Sequence, residues 1–224
     1  MKRKRMLSLL IAIAALLSLV TAALAGGWSL VTVRDFPDFA VAGKPLNMTF
    51  TAWVPSLEPL SNLHPTVRAT NAKGLTVRAV ANPGIAMGDF TATLTLPEPG
   101  DWVIAFDTEY KDAATMPPLK VIASGAPKPS PSSLAAQGLR LFTTKGCNGC
   151  HLHPRVKAGR SYGPDLTDKR FSAEYLQRFL ADPSIAPEPG VICSGGSCGE
   201  PYAMPNLGLR KSEIDALVAF LMER

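Results

Sequence analysis

The feature that most constrains the fold is a change of hydrophobic period on either side of a short proline-rich segment. From Trp28 to about residue 123, apolar residues recur at every second position, which is typical of strands with one buried face. The segment "SGAPKPSPSS" (124–133) cannot build a core and predicts an extended linker. Beyond it, apolar residues recur at helical spacing. The sequence therefore predicts a β unit followed by an α unit.

The first unit contains seven short alternating runs, separated by turn signals such as "NAKG" and "PEPG". The runs are "WSLVTV", "LNMTFTAWV", "PTVRAT", "LTVRAVA", "GDFTATLTL", "DWVIAFD" and "LKVIA". Leu46, Met48 and Phe50 share one face of the second run, and Phe90 lies opposite Asp89 in the fifth. This pattern predicts a small antiparallel β-sandwich of immunoglobulin-like type over residues 26–123.

The second unit, residues 134–224, contains three helical patterns. They are "SLAAQGLRLFTTKG", "SAEYLQRFLADP" and "SEIDALVAFLMER". Ser172 and Ser212 are predicted N-caps, and Pro183 is expected to end the middle helix. Three helices in about ninety residues make a thin core, and such a small fold gains stability from a cofactor.

The N-terminus has the pattern of a secretory signal peptide over residues 1–25. A basic cluster at residues 2–5 precedes an apolar run that closes on Ala23-Leu24-Ala25. The alternative is an uncleaved segment, which would tether the chain to the membrane. Cleavage would leave 19 positive against 18 negative side chains, so the net charge of +5 gives no reason to expect nucleic acid as a partner. We expect an exported, periplasmic protein whose four cysteines meet an oxidising compartment.

Cys147-Asn148-Gly149-Cys150-His151 has the C-x-x-C-H spacing of a c-type haem attachment site. In such a site the two thiols form thioethers with the haem vinyl groups, and the histidine is held beneath the iron. Three alternatives use the same residues: a thioredoxin-like redox pair, a zinc site completed by Cys193 and Cys198, and a plain disulfide. The redox pair would need a βαβ setting, and a disulfide would leave the histidine without a role.

The surrounding residues resemble the class I cytochrome c family. The likeness runs through "GLRLFTTKGCNGCH", "GPDL" and "AMPNLGLRKSEIDALVAFL", over about residues 134–224. The resemblance implies an all-α haem domain in which Gly138 and Phe142 of the first helix pack against Phe220 of the last. It also implies that the Pro164 carbonyl accepts a hydrogen bond from Nδ1 of His151, which would leave Nε2 for the iron.

The same resemblance implies that Met204 is the sixth ligand of the iron, because the distal methionine of that family lies in a loop before the last helix. A thioether and an imidazole together raise the reduction potential. Met222 is the competitor, but it lies within the helix itself. In an exported protein, Cys193 and Cys198 around "SGGS" are expected to form a local disulfide.

Other polar residues near the motif are not expected to be ligands. His153 is predicted to be a solvated or hydrogen-bonded loop side chain. A group of basic residues is predicted to form a solvated face that could steer an acidic redox partner. This group comprises Lys145, Lys157, Arg160, Lys169 and Arg170.

The N-terminal unit is similar to the YtkA-like and FixH-like periplasmic sandwich domains, through "GDFTATLTLPEPGDWVIAFD", "HPTVRAT" and Trp28. The resemblance implies a fold and a compartment, with a docking role. His64, Met48, Met87 and Met116 are residue types that suit Cu(I), although core or loop packing is the commoner role for them.

The sequence as a whole thus predicts an exported monohaem c-type cytochrome. It would hold one covalent haem c and transfer single electrons between redox protein partners, without being an enzyme. One alternative is a haem sensor or enzyme with an open sixth position. A second alternative is a copper-handling protein that uses the sandwich.

Overall fold

The computed structural model describes residues 29–54, 58–110, 112–156, 163–167, 171–185 and 204–223. The strands are β1 (Leu30–Val33), β2 (Phe39–Val41), β3 (Pro45–Trp53), β4 (Thr66–Asn71), β5 (Thr76–Val80), β6 (Asn82–Pro83), β7 (Asp89–Thr95), β8 (Gly100–Asp107), β9 (Ala114–Thr115) and β10 (Leu119–Ile122). The helices are α1 (Leu134–Thr144), α2 (Ala173–Ala181) and α3 (Lys211–Met222), with a 3₁₀ turn at Cys147–Gly149. Each of the seven alternating runs contributes a strand.

The strands form two sheets that enclose one hydrophobic core. One sheet has the order β1-β3-β7-β6, and the other has the order β2-β10-β8-β4-β5, with β9 paired to β8. Inward positions of β3 and β7 alternate with outward ones, as the period of two predicts. Phe50 of β3 packs on Phe90 of β7 and Phe106 of β8, with ring centroids 5.6 Å and 4.6 Å away. The sandwich thus buries its aromatic residues between its two layers.

The sandwich differs from the prediction in two places. β2 pairs with β10 in parallel, so the sheets are not wholly antiparallel. Asp89, which the alternation assigns to the outer face, is buried. Its carboxylate accepts hydrogen bonds from Thr51 Oγ1 at 2.5 Å and from Arg34 Nη2 at 2.7 Å. A buried carboxylate is tolerated because these donors replace water.

The helices begin where local hydrogen bonds cap them. The Ser172 side chain accepts from Tyr175 N at 3.2 Å and so caps α2, which ends one residue before Asp182 and Pro183. The prediction of Ser212 as the N-cap of α3 is wrong. Arg210 takes that position, and Glu213 accepts from its backbone N–H at 2.9 Å. A carboxylate three residues into a helix compensates for an unusual cap residue.

α1 and α3 cross at Gly138. A Cβ at this position would collide with the Ala216 carbonyl oxygen and lie 2.6 Å from Phe220 Cβ, so only glycine permits the approach. Beside the crossing, the rings of Phe142 and Phe220 lie 5.6 Å apart. The contact buries the apolar faces of both helices in a second, smaller core.

The fold class predicted from the sequence is wrong. The described chain is predominantly an immunoglobulin-like β-sandwich, and its α-helices are few and short, with 11, 9 and 12 residues. An all-α domain of the class I cytochrome c kind is not evident among the described residues, because short helices there alternate with irregular segments. Within these residues, no helix has the length and apolar character that crossing a bilayer requires. The predicted signal peptide lies outside them.

Candidate functional site

The C-x-x-C-H motif lies on a tight turn that directly follows α1. Gly146 leaves the helix with φ of +75°, a left-handed conformation that glycine adopts readily. The 3₁₀ turn then begins, and both Cys150 N and His151 N donate to Cys147 O, at 3.1 and 2.9 Å. The turn therefore holds the two cysteines and the histidine in one short loop.

The imidazole of His151 is oriented by a neighbouring segment of backbone. Its Nδ1 lies 2.9 Å from the Pro164 carbonyl oxygen. Because a carbonyl can only accept, Nδ1 is the protonated nitrogen, and Nε2 has its lone pair free. Burial lowers the pKa of His151, an effect that the bond to Pro164 partly opposes. The geometry expected from the sequence is present, and it leaves a neutral nitrogen able to coordinate a metal.

The same segment packs against the face of the imidazole. A Cβ at Gly163 would lie 2.8 Å from His151 Nδ1, so no side chain fits at this position. Gly163 N donates to Cys150 O at 2.8 Å, which ties the segment to the motif. The role of Gly163 was not predicted from the sequence, where this residue is only the first of the run "GPDL".

Burial disfavours ionisation of both thiols of the motif. It raises the pKa of Cys147 to about 12, and it also raises the pKa of Cys150. Both cysteines are free. The zinc alternative stays a prediction, because it also needs Cys193 and Cys198, which lie outside the described residues.

Met204 is partly buried and packs against the same hydrophobic cluster as Cys147 and the two crossing helices. Met222, its competitor, is exposed at the end of α3. The predicted disulfide partners Cys193 and Cys198 lie outside the described residues, so the expected pairing stays a prediction.

His153 is a hydrogen-bonded loop residue, as the sequence predicts, and its ring also packs against aromatic residues. Its ring lies 4.3 Å from the ring of Phe220 and 5.6 Å from that of Phe142, measured between centroids. Its Nδ1 accepts from Arg155 N at 3.3 Å. The residue belongs to the aromatic packing beside the helix crossing.

Lys145 is not part of a solvated face. Its Nζ lies 3.0 Å from Glu213 Oε1, and the two side chains are only 12% and 7% exposed. Burial alone would raise the pKa of Glu213, but hydrogen bonds from Arg210 and Lys145 outweigh it and lower the pKa. The other four members of the basic group lie outside the described residues.

The four residues weighed as copper ligands do not form a site. Met48 and Met116 are buried in the sandwich core. Met87 and His64 are exposed, and the His64 side chain lies 3.6 Å from a Glu109 carboxylate oxygen. Among the described residues, no group of three or more His, Cys, Asp and Glu side chains could hold a metal ion. The copper-handling alternative is therefore wrong.

No family model matches the chain, and no curated protein matches it. Solved structures that resemble it are β-sandwich domains. The Lin-41 filamin domain has 12% identity and a TM-score of 0.34, with 44% of this chain and 98% of that chain covered. Domains 4 and 5 of the S-layer protein SbsC have 19% identity and a TM-score of 0.30, with 42% and 51% covered. The Escherichia coli adhesin FdeC has 23% identity and a TM-score of 0.32, with 44% and 32% covered.

These findings correct the identification made from the sequence. No family model supports membership of class I cytochrome c or of the YtkA-like and FixH-like domains, and the described residues form mainly strands. The predicted function of a monohaem electron-transfer cytochrome depended on that membership and is withdrawn, together with its haem-sensor alternative. TM-scores near 0.3 carry no inference about activity.

Proposed function

We propose that the chain binds one haem c covalently through Cys147 and Cys150, with His151 as an axial ligand of the iron. Covalent attachment requires two correctly spaced thiols, an adjacent imidazole and an apolar surface beside them, and so does not depend on a particular fold family. The observation that carries the proposal is the 2.9 Å contact between His151 Nδ1 and Pro164 O, because it aims Nε2 as the ligand.

The residues fit the group in their chemistry. Each protonated thiol can add across one vinyl group, with the sulfur bonding to one vinyl carbon and the hydrogen going to the other, so that no oxidant is needed. Gly163 has no side chain that would collide with the imidazole, and the cluster around Cys147 is apolar. When bound, the haem would supply one-electron redox chemistry.

Met204 is the proposed second axial ligand. It is the described methionine that packs in the same cluster as Cys147, and its thioether suits ferrous iron. Replacement by alanine should remove the weak far-red band that methionine ligation gives to a ferric haem. An unchanged visible spectrum in Met204→Ala would show that another group occupies the position.

We also propose the setting in which the group acts. Residues 1–25 support export, and the periplasm is the compartment in which haem attachment of this kind would occur. The expected partners are redox proteins, one of which could be a membrane-bound complex. That the chain is not an enzyme stays a prediction.

The proposal is tested by mass spectrometry of the exported chain, made in a host that attaches haem to C-x-x-C-H sequences. We expect the mass of the mature polypeptide plus one haem, retained after denaturation. The double variant Cys147→Ser/Cys150→Ser should lose that mass entirely. A wild-type chain with no added porphyrin would overturn the proposal.

His153→Ala is the matched control for His151→Ala, because it removes the same ring two residues further along. His151→Ala should change the absorption spectrum of any attached haem, since the iron loses its ligand. His153→Ala should leave that spectrum in place. Equal effects of both variants would show that His151 has no special role.

A further inference from the structure

Three cationic side chains of the helical region reach one segment of the sandwich, residues 34–38 between β1 and β2. Arg140 of α1 donates to the Pro37 carbonyl, and its guanidinium carbon lies 4.7 Å from the ring centroid of Phe36. A guanidinium over an aromatic face gains from both stacking and cation–π attraction. We call residues 34–38 the bracket segment.

The second cation is Lys145, at the C-terminal end of α1. Its Nζ donates to the Arg34 carbonyl at 2.9 Å while it pairs with Glu213 at 3.0 Å. The third is Arg210, whose guanidinium lies 3.3 Å from the Asp35 carboxylate and 2.9 Å from that of Glu213. Glu213 therefore connects two cations that each also contact the bracket segment.

These cations adjoin both halves of the candidate site. Lys145 comes two residues before Cys147, and Arg210 comes six residues after Met204. Gly146, between Lys145 and Cys147, packs so closely on β1 that a Cβ there would lie 2.8 Å from Leu30 Cδ1. The bracket segment and β1 thus contact the chain immediately before the cysteines and the chain between Met204 and α3.

The surfaces around these contacts are open. One cleft of about 540 Å³ separates β1 and Trp53 from the residues that follow Met204, and another of about 440 Å³ lies between the bracket segment and α1. Among the described residues, tight apolar packing does not fill either space. The polar contacts of Arg140, Lys145 and Arg210 therefore carry a large share of the attachment between the two regions.

We propose that the bracket segment positions the two stretches of chain that carry the haem-binding residues, so that the sandwich is part of the haem site and not only a docking module. This inference rests on the proposed function for its biological role. Arg140, Lys145 and Glu213 are positioning residues in it, because none of them is proposed to touch the haem.

The test is amide hydrogen exchange on the full-length chain, measured with and without haem. The variants are Arg140→Ala and Lys145→Ala, with Lys145→Arg as the conservative rescue. We expect exchange at residues 146–151 and 206–213 to become about tenfold faster in the alanine variants, because a charge-assisted contact to the sandwich is lost. Lys145→Arg should restore most of the protection.

Two controls remove charges that do not reach the bracket segment. Lys211→Ala breaks a pair with Asp215 at 2.8 Å on α3, and Lys73→Ala breaks a pair with Glu98 at 3.2 Å within the sandwich. Both should leave exchange at the haem-binding stretches within about twofold of wild type, since exposed pairs contribute little. The ladder amides of β3 and β7 report whether the sandwich is intact.

The outcomes separate this inference from the haem proposal. The positioning role of the bracket segment would be overturned if Arg140→Ala and Lys145→Ala both exchanged at the wild-type rate. Changes no larger than those of the two controls would overturn it as well. If Lys145→Ala fails to fold, Arg140→Ala still tests the positioning role. This variant is expected to fold, because alanine is favourable in the interior of α1. A chain that never takes up haem but shows the expected exchange pattern would overturn only the haem proposal.

Discussion

The imidazole of His153 lies against the ring of Phe220, with centroids 4.3 Å apart and planes inclined by 40°. On the same ring, the guanidinium carbon of Arg155 lies 5.3 Å from the centroid. The last helix is therefore held to the loop after the C-x-x-C-H motif by packed aromatic and guanidinium side chains as well as by its crossing with α1.

Replacing His153 by alanine should lower the free energy of unfolding by about 1–2 kcal/mol, because an aromatic contact and its buried area are lost. His153→Phe should retain most of the stability. Denaturant unfolding checks both variants. His64→Ala is the control, since that histidine is 87% exposed in its side chain and should change stability little.

Gly138→Ala tests the helix crossing. Alanine would gain about 1 kcal/mol in helix propensity. The collision with the Ala216 carbonyl should outweigh that gain, since overpacking costs about 1–3 kcal/mol or more. We expect a net loss of stability in thermal or denaturant unfolding of the helical region. Leu134→Ala, at an exposed position of the same helix, should be nearly neutral, and a stabilised Gly138→Ala would contradict the close contact.

The pH dependence of stability should include a contribution from Glu213. Its pKa in the folded chain lies below the usual value of 4.5, so the unfolded state binds its proton more readily. The stabilisation is then fully present above pH 4.5 and is lost as pH falls through the folded pKa. Glu213→Gln should destabilise the chain near neutral pH by about 2–3 kcal/mol, because Lys145 loses its partner.

The quantity to measure is the difference in unfolding free energy between wild type and Glu213→Gln. Unfolding free energies at a series of pH values should show a constant gap above pH 5.5 (about one unit above the usual pKa) that narrows at lower pH. Asp215→Asn, on the exposed side of α3, should show a much smaller gap. A gap independent of pH would mean that Glu213 does not act through its charge.

The buried carboxylate of Asp89 should stabilise the sandwich. Asp89→Ala removes the acceptor for Thr51 and Arg34, and we expect a loss of about 2–3 kcal/mol in unfolding free energy. Asp101→Ala, at an exposed position of β8, is the control. Similar stability of the two variants would show that the Asp89 contacts contribute little.

The alternating pattern was sufficient to predict the main strands, because burial of one face imposes a period of two. It could not predict β2, β6 and β9, which have two or three residues and depend on partners far along the chain. The burial of Asp89 was not predicted, for a related reason. Alternation specifies a face, whereas the donors that make burial of a carboxylate tolerable come from other strands.

At the candidate site, the spacing of Cys147, Cys150 and His151 was readable from sequence because the chemistry is local. The roles of Lys145 and His153 could not be predicted from the sequence in this way. Lys145 looks like a member of a solvated face, and His153 looks like an ordinary loop residue, until the long-range contacts with Glu213 and Phe220 are known. The family resemblance that extended the local motif to a whole domain was wrong, since it assigned a fold class that the described chain does not have.

The contact between the bracket segment and the helices matters when the helical region is prepared without the sandwich. A truncated product beginning at the proline-rich linker would contain the thiols and the imidazole, yet Arg140 and Lys145 would have lost the carbonyls they bind more than one hundred residues upstream. Spectra or potentials recorded on such a truncated product would describe a site without its support.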